Sequence, residues 1–358
     1  MATTELSDDL KVKRWLADYF REYVRNHGFR PYMGTGANSC IQVKRDLTSG
    51  GKTISMPLVT RLKADGITGS NMLEGNEEQL GNFAQEISIE FLRNGVEITV
   101  DDEHYSTFSL LQAARDQLTT WAMDRLRHDL ILAFGSIDGV NYADATAGQR
   151  DTWTANNEDR VLFGDSRSNY DATHATALEN ITDAMTLDAA TVSLMKRIAK
   201  TADPHIRPTR VNDQRGREYF VMFAGSYAFR DLKEDAPIQQ ANREARPRDV
   251  EQNPIFQDGD LIYDGVVIRE VPEIESLGGV GATGANVSPV YLCGAQALGL
   301  AWGREPRAIT NDRDYRFRRG VGTMDARGIE KLRFESGDSG TMVDHGMVTG
   351  FVAAEPDA

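Results

Sequence analysis

One stretch of the sequence, residues 46–101, combines strand patterning with too little apolar mass to form a core of its own. Between Lys52 and Leu62, apolar and polar residues alternate, and Pro57 restricts this strand to a sheet edge or an extended arm. Turn-forming residues follow, and further period-two runs then lie on either side of Asn94-Gly95, as in a β-hairpin. The alternating apolar positions are Ile54, Met56, Leu58, Ile87, Ile89, Phe91, Val96, Ile98 and Val100.

An isolated two-stranded ribbon is only marginally stable in water. Residues 46–101 are therefore expected to pack on another part of the structure, and a second copy of the chain is one candidate for that partner.

Three segments have helical periodicity. The longest runs from about 107 to 134, and its roughly 28 residues would form a rod of about 40 Å, which is long for a globular domain. Residues 8–27 predict an amphipathic helix that either packs on its own domain or docks on a neighbouring copy, and the sequence leaves both open. A third helix is expected from Leu187 to Lys200, ending before Pro204.

The other segments make the chain α+β. Residues 135–175 are rich in Gly, Asp, Asn, Ser and Thr and are expected to form a long loop. Strand patterning covers 219–224, 261–271, 329–334 and 347–353, whereas the small residues at 290–303 predict a helix. With 358 residues, the chain is long enough for two or three compact units.

Charge is unevenly distributed along the chain. The formal net charge of -14 disfavours a protein whose main task is to grip phosphate backbones, although an acidic wall can still enclose DNA. Between Glu74 and Glu103, nine acidic residues accompany one arginine, and between Arg304 and Arg319, six arginines accompany three acidic residues. These blocks either pair across copies of the chain or form two solvated faces.

The two cysteines, Cys40 and Cys293, have no metal-ligand spacing and are expected to be reduced thiols in a protein made in a cytosol. The first residues show no basic and apolar leader, and no apolar run approaches the length of a bilayer span. The protein is therefore expected to be unexported and to have no membrane partner.

Two motifs suggest chemistry, and neither has the surroundings that the chemistry needs. Gly337-Asp338-Ser339-Gly340 matches the tetrapeptide around the nucleophile of chymotrypsin-like proteases, but only 18 residues follow it and no histidine lies in that family's context. Residues 279–284 match the dinucleotide fingerprint as a string, yet extended residues and a proline follow, which favours a loop. With no Cys/His cluster, neither a metal nor a cofactor is expected, and the chain is not expected to be an enzyme.

Ten short motifs, spread from residue 32 to residue 347, are notable for the order in which they occur along the chain. They are residues 32–42 (YMGTGANSCIQ), Asp46-Leu47, 51–62, 71–80 (NMLEGNEEQL), Trp121 in the long helix, 253–256 (NPIF), 263–268 (YDGVVI), 294–298 (GAQAL), Asp314-Tyr315 and 343–347 (VDHGM). In this order they closely resemble the N-four-type family of phage major capsid proteins.

The resemblance implies the Hong Kong 97 capsid fold, with an N-terminal arm, an E-loop, a P-domain and an axial A-domain. The arm corresponds to 1–45, the E-loop to 46–85 and the P-domain to 86–174 with its spine helix at 107–134. The A-domain corresponds to 175–305 and the returning P-domain strands to 306–358. It also implies a structural subunit that assembles as pentamers and hexamers into an icosahedral head around double-stranded DNA, without sequence-specific binding.

The implied partners are other copies of the chain, a portal, a scaffolding protein encoded separately and a decoration protein. The implied location is the virion, after synthesis and assembly in the host cytoplasm. An encapsulin-like cellular shell protein is the alternative, and a serine protease built on residues 337–340 is a remote one.

The family's architecture suggests where subunits touch. The E-loop is expected to cross the P-domain of the next subunit and to bury there apolar residues that find no local partner, while the acidic block meets arginines of a neighbour. The candidate contact residues are Ile54, Met56, Leu58, Glu74, Glu77, Glu78, Arg304, Arg307, Arg316, Arg318 and Arg319.

Overall fold

A computed structural model describes residues 28–45, 51–59, 62, 64, 66–69, 72–78, 80–106, 109–210, 218–244, 261–336 and 341–357. The helix expected at 8–27 and the tetrapeptide at 337–340 lie outside these residues. The described chain mixes helices and strands, as the sequence predicts.

The described residues form seven α-helices, sixteen strands and three short 3-10 turns. The helices are α1 (Val100–Tyr105), α2 (Leu110–Gly135), α3 (Ala147–Asn156), α4 (His174–Glu179), α5 (Ala189–Thr201), α6 (Ser226–Glu234) and α7 (Ala236–Glu244). The strands are β1 (Met33–Gly34), β2 (Ile41–Lys44), β3 (Thr53–Val59), β4 (Asn82–Ser88), β5 (Glu90–Thr99), β6 (Val161–Phe163), β7 (Thr209–Arg210), β8 (Glu218–Ala224), β9 (Leu261–Tyr263), β10 (Val266–Glu270), β11 (Val287–Cys293), β12 (Leu298–Arg313), β13 (Arg318–Lys331), β14 (Arg333–Ser336), β15 (Thr341–Asp344) and β16 (Met347–Ala353).

The longest helix, α2, is the predicted rod, and we call it the spine helix. The Ser109 hydroxyl caps it by accepting a hydrogen bond from the Gln112 amide at 3.3 Å. Its buried residues recur at three and four residue steps and form one stripe: Ala114, Leu118, Ala122, Leu126, Leu130, Ile131, Ala133 and Phe134. The stripe packs on the sheets, so tertiary burial stabilises the rod.

A five-stranded sheet has the order β1-β2-β12-β13-β5. Its long strands β12 and β13 form an antiparallel hairpin whose register shifts between Trp302 and Arg304 and again between Arg304 and Arg307. Residues before these bulges are buried, whereas most residues beyond Ala308 are exposed. The hairpin therefore begins in the core and extends outward.

A seven-stranded sheet has the order β6-β16-β11-β8-β10-β9, with β7 paired to β8. Its central strands are buried on both faces: Val221 and Phe223 face the core under the spine helix, whereas Phe220 and Met222 face the core under α5 and α6. Strands covered on both sides carry near-continuous apolar runs, which explains the apolar stretch at 219–224.

Strands β3 and β4 form a separate two-stranded sheet, which we call the ribbon. Pro57 lies in β3 opposite Ala84 of β4, in a ladder that pairs with no further strand among the described residues. The predicted edge position of Pro57 is thus confirmed.

The prediction of a helix at 290–303 is wrong, because the segment is the end of β11, a tight turn and the start of β12. All seven residues of β11 are buried, and such an apolar run cannot be distinguished from a buried helix by periodicity. At the turn, Gln296 has a φ of 58°, and a Cβ on Gly294 would lie 2.3 Å from the Arg207 carbonyl oxygen.

The hairpin turn suggested by Asn94-Gly95 is also absent from the described structure, because β5 runs straight through both residues. Strand β13 pairs with ten residues of β5, and this long ladder overrides the local turn preference.

The segment at 135–175, predicted to be one long loop, contains α3, β6 and the start of α4. Here Thr146 and Gln149 form a capping box that starts α3.

Candidate inter-subunit surfaces

The base of the ribbon is buried against its own chain. Ile54 is 6% exposed and Met56 is 3% exposed, in a cluster that includes Phe334 from β14. The expectation that these side chains find no local partner is therefore wrong, and they leave little surface for a neighbouring subunit. Leu58, farther along β3, is half-buried at the margin of this cluster.

Three glycines of the five-stranded sheet, Gly299, Gly303 and Gly328, form a notch that receives the ribbon. A Cβ on Gly299 would lie 2.5 Å from Ile87 Cδ1, and one on Gly328 would lie 2.1 Å from the Ser88 carbonyl oxygen. The buried Gln85 side chain adds hydrogen bonds, donating to the Lys331 carbonyl at 3.0 Å and accepting from the Arg333 amide at 2.6 Å. The ribbon is therefore anchored tightly at its base.

The ribbon tip, by which we mean the described residues among 59–80 (59, 62, 64, 66–69, 72–78 and 80), exposes large apolar side chains. The exposed fractions are 71% for Met72 and about 60% for the others, which are Val59, Leu62, Leu73 and Leu80. Sequence reasoning does not single out these residues as contacts. Val59 and Leu62 lie at the end of the strand pattern at 52–62, and the other three lie among turn formers without a strand or helix period. Because these exposed side chains all belong to one loop, the tip is a better candidate than the base for contact with another molecule.

The acidic candidates Glu74, Glu77 and Glu78 all lie exposed on the ribbon tip. Glu77 Oε2 accepts a hydrogen bond from the Gly75 amide at 2.8 Å, and Glu78 Oε2 accepts one from the Ala64 amide at 2.9 Å. Two of the three carboxylates therefore also shape the loop that presents the apolar side chains.

The arginine candidates lie on the β12–β13 hairpin. Arg304, Arg316, Arg318 and Arg319 are exposed, whereas Arg307 is half-buried. Arg316 and Arg318 contact acidic residues of the same chain, since Arg316 Nε lies 3.8 Å from Asp312 Oδ2 and Arg318 Nη1 lies 3.3 Å from Glu97 Oε1. Such exposed pairs contribute little stability on their own.

The acidic and basic blocks are neighbours within one subunit, because β5 pairs with β13. Arg319 lies opposite Ile98, and Arg318 lies opposite Thr99. For residues 90–99, the blocks therefore meet within one subunit, an arrangement that differs from both sequence interpretations, pairing across copies and two solvated faces. The acidic residues of the ribbon tip remain candidates for a contact between copies.

A buried ionic network connects β13, β15 and Arg160, the residue before β6. Lys331 Nζ lies 3.0 Å from Asp344 Oδ2, and each side chain is 2% exposed. Asp344 Oδ2 also accepts a hydrogen bond from Trp153 Nε1 at 3.1 Å. Arg160, which is 1% exposed, donates to the Asp344 carbonyl. Sequence patterns give no sign of this network, because no local pattern around Lys331, Asp344 or Arg160 indicates that the charged side chain is buried.

His174 is buried beside the same region, with Nδ1 2.8 Å from Thr154 Oγ1 and Nε2 2.9 Å from Tyr142 Oη. Burial, together with the nearby Arg150 cation, lowers the pKa of His174 to about 4. Burial also raises the pKa of Tyr142 to about 12. Both side chains are therefore neutral near pH 7.

The His174→Gln variant is expected to weaken the pH dependence of stability. The unfolded chain protonates this histidine near pH 6.5 and the folded chain only near pH 4, so stability is full above pH 6.5 and falls as the pH drops through this window. The loss is on the order of 3 kcal/mol. Melting temperatures at pH 7.5 and 4.5 test this, with His104→Gln as the control for an exposed imidazole. Equal slopes for the wild type and His174→Gln would contradict it.

In the part of the chain that the structure describes, no three His, Cys, Asp or Glu side chains converge to hold a metal ion. No helix there is both long and apolar enough to cross a membrane. Cys40 and Cys293 are free, buried thiols of one core. Residues 279–284 form a loop with one 3-10 turn (Ala282–Gly284), and no α-helix follows that could receive a pyrophosphate.

Solved structures with the same architecture are phage capsids. The capsid asymmetric unit of cyanophage Pam1 matches with a TM-score of 0.84 and 40% identity, covering 100% of both chains. The capsid of Ralstonia phage GP4 matches in fold with a TM-score of 0.71 at 20% identity, covering 100% of this chain and 96% of the other. The spine helix, the projecting ribbon and the two sheets thus form a Hong Kong 97-like capsid fold, as the resemblance implies.

Sequence comparison agrees. A family model described as phage capsid protein matches residues 3–354. The major capsid protein of Pseudomonas phage KPP25 is 31% identical over 367 residues, covering 95% of this chain and 94% of the relative. The chain belongs to the phage capsid protein family, and it is a major capsid protein of a tailed bacteriophage. It is therefore a self-associating subunit of the virion shell, and the encapsulin alternative is not favoured.

Proposed function

We propose that the chain assembles as pentamers and hexamers through the ribbon, whose apolar tip docks on the next subunit. The observation that carries the proposal is the contrast between the two ends of the ribbon. Its base is buried in the chain's own glycine notch, whereas its tip exposes Met72, Leu73 and Leu80. A closed shell multiplies contacts that are individually weak, because each subunit must break several at once to leave.

The proposed domain limits are those that the family resemblance implies. The ribbon corresponds to the E-loop at 46–85, the spine helix belongs to the P-domain at 86–174, and the A-domain covers 175–305 before the chain returns at 306–358. The seven-stranded sheet also contains β6 and β16. We propose that these two strands complete the A-domain sheet from outside the 175–305 segment.

The proposed partners are those of a shell protein. The acidic chain would enclose double-stranded DNA without sequence-specific contacts, since strong phosphate binding would need an excess of Lys and Arg. A separately encoded scaffolding protein, a portal and a decoration protein would act during or after assembly in the host cytoplasm. We also infer that the subunit catalyses no reaction, because its family consists of structural proteins.

The triple variant Met72→Ser/Leu73→Ser/Leu80→Ser is expected to lower particle yield by at least about tenfold while leaving the subunit folded. Each exposed apolar side chain buried at an interface contributes roughly 1–3 kcal/mol, and tenfold corresponds to about 1.4 kcal/mol. Negative-stain electron microscopy and size-exclusion chromatography measure particle yield, and circular dichroism measures folding.

The matched control is Met72→Leu/Leu73→Met/Leu80→Met, which changes side-chain shape but keeps the tip apolar. It is expected to assemble. Normal shells from the serine variant would overturn the role of the tip, whereas failure of the control as well would mean that shape, rather than apolar burial, decides the contact.

Glu77→Lys/Glu78→Lys is expected to lower shell yield without unfolding the subunit, because it reverses charge on the tip. Glu77→Gln/Glu78→Gln separates charge from loop shape, since each amide oxygen can still accept the hydrogen bonds from Gly75 and Ala64. If charge complementarity matters, the glutamine pair also lowers yield. Unchanged yield for the lysine pair would remove charge from the proposed contact.

A further inference from the structure

The turn that joins β12 to β13 (residues 314–317) presents a tyrosine to solvent. The Phe317 amide donates a hydrogen bond to the Asp314 carbonyl at 2.8 Å, and this bond closes the turn around Tyr315 and Arg316. Tyr315 is 104% exposed, so its ring packs on no other part of the described subunit. An aromatic ring in this position offers a large apolar surface to another molecule.

The backbone of this turn is unfavourable for the residues that it contains. Asp314, Tyr315 and Arg316 have φ values of 51°, 50° and 72°. Turns with positive φ at both central positions favour Asn-Gly or Asp-Gly, because the Cβ of other residues disfavours this conformation. Residues held in such conformations cluster at functional sites, where contacts offset the strain. The strain therefore indicates that Tyr315 and Arg316 are placed here for a contact.

A cavity of about 330 Å³ lies directly beside the turn. Its apolar lining comes from Ile98 of β5, Val100 of α1 and Leu111 of the spine helix. The Val100 amide donates a hydrogen bond to the Phe317 carbonyl at 2.9 Å, which joins the cavity wall to the turn. Tyr315 of the same subunit does not line the cavity. The volume is at the lower end of the range for small-molecule sites, roughly 300–1,000 Å³, and suits a single aromatic ring.

Two polar side chains in the cavity lining, His104 and Arg319, are exposed to solvent. Arg319 forms no ion pair with another described residue, so its guanidinium group is free to donate a hydrogen bond to a phenol oxygen. The guanidinium group also attracts the face of an aromatic ring. The cavity thus combines an apolar wall with polar groups at its opening, which is the combination that a tyrosine side chain needs.

Charges on either side of the contact are complementary. Arg316 follows Tyr315 in the turn, and Asp101 follows Val100 at the cavity, and both charged side chains are exposed. Within the subunit, Arg316 Nε lies 3.8 Å from Asp312 Oδ2, an exposed pair that contributes little stability. Arg316 can therefore turn to Asp101 of a second copy at little cost, and this pairing would fix the orientation of the two copies.

We propose that Tyr315 of one copy of the chain inserts into this cavity of the next copy, with Arg316 beside Asp101. The chain is a self-associating shell subunit, and its own surface carries both halves of the contact. The two halves are different surfaces at the same end of the subunit. The contact is therefore heterologous, and it forms a closed ring when each copy is related to the next by the same rotation. No residue of the ribbon takes part, so the contact is independent of the docking proposed for the ribbon tip.

A photoreactive aromatic residue, p-benzoylphenylalanine, placed at position 315 tests the contact directly. The assembled protein is prepared from an equal mixture of unlabelled and isotope-labelled full-length chains and is then irradiated. Mass spectrometry is expected to find cross-links from position 315 of one copy to residues 98–111 of a differently labelled copy. Cross-links that stay within one copy, or that lead only to other segments of the chain, would overturn the proposal.

Tyr315→Ser is expected to lower particle yield by at least about tenfold at an unchanged melting temperature, because the exposed ring supports the interface and not the fold. Tyr315→Phe, the matched control, keeps the ring and is expected to lose no more than about threefold, the smaller share that a single hydrogen bond contributes. Normal yield from Tyr315→Ser, or equal losses in both variants, would contradict a contact made by the ring.

Val100→Trp obstructs the cavity from the other side of the contact, because Val100 is an exposed residue of its lining. It is expected to lower particle yield as much as Tyr315→Ser does. The double variant Val100→Trp/Tyr315→Ser is expected to lose no more than either single variant, since each change alone removes the same contact. Losses that multiply in the double variant would show that the two residues act at separate contacts and would overturn the proposal.

Discussion

Replacing Lys331 by methionine is expected to lower the free energy of unfolding by about 3–5 kcal/mol, the cost of leaving a buried carboxylate without its counter-ion. Lys331 and Asp344 are each 2% exposed and lie 3.0 Å apart. Methionine fills similar space but supplies no charge, so Asp344 must stay ionised without a partner or take up a proton. Thermal unfolding of the purified protein should show a melting temperature lower by about 5 °C.

The double variant Lys331→Met/Asp344→Asn separates the ion pair from packing. It removes both charges, and the asparagine oxygen can still accept the hydrogen bond from Trp153 Nε1. Replacing both members of a buried pair is often close to neutral, so most of the lost stability should return. A double variant as unstable as Lys331→Met would show that lysine packing, including its position 5.2 Å above the Trp153 ring, matters more than charge.

Gly328→Ala is expected to destabilise the subunit by about 3 kcal/mol, at the upper end of the cost of overpacking. The added Cβ would lie 2.1 Å from the Ser88 carbonyl oxygen and 2.8 Å from Ile87 Cγ2. Because the nearer atom belongs to backbone, a rotamer change cannot relieve the clash, and the ribbon itself must shift. Shell yield should fall together with the melting temperature.

The control for Gly328→Ala is Gly148→Ala in α3, where an added Cβ meets no heavy atom within 4 Å. Alanine is the better helix former, so this change should be neutral or slightly stabilising. Assembly and stability in Gly328→Ala equal to those of Gly148→Ala would mean that the notch tolerates a side chain and does not fix the ribbon.

Helices and strands whose apolar residues recur at a regular spacing could be predicted from the sequence, whereas elements shaped by contacts between distant parts of the chain could not. The spine helix and α5 combine apolar spacing with end signals, and both form close to their predicted limits. The prediction of a helix at 290–303 is wrong because a strand buried on both faces shows no alternation of apolar and polar residues that would distinguish it from a buried helix. Strand β5 continues through Asn94-Gly95 because a partner more than 200 residues away in sequence, β13, pairs with it.

For the candidate contact residues too, local sequence pattern predicts the type of element but not the partners of its side chains. Ile54 and Met56 were correctly identified as an apolar strand face, but their partners, Ala301, Ala326 and Phe334, come from three distant strands and could not be deduced from local pattern. The tip residue Met72 was quoted only as part of a family motif, since single apolar residues among turn formers carry no periodic signal. Lys331 and Asp344 gave no signal either, because burial of a charge depends entirely on the tertiary structure.

The glycine notch makes the ribbon a cantilever, clamped at its base and, in the proposed assembly, loaded by a neighbour at its tip. Beyond Met56, the last clamped residue of β3, three further residues (57–59) span about 10 Å at strand geometry before the tip begins. A small rotation of the five-stranded sheet would therefore displace the tip by more than it displaces the base of the ribbon. In the proposed assembly, a force that a neighbour applies at the tip would act as a torque on β12 and β13, and the curvature of the shell would thereby bear on the internal geometry of each subunit.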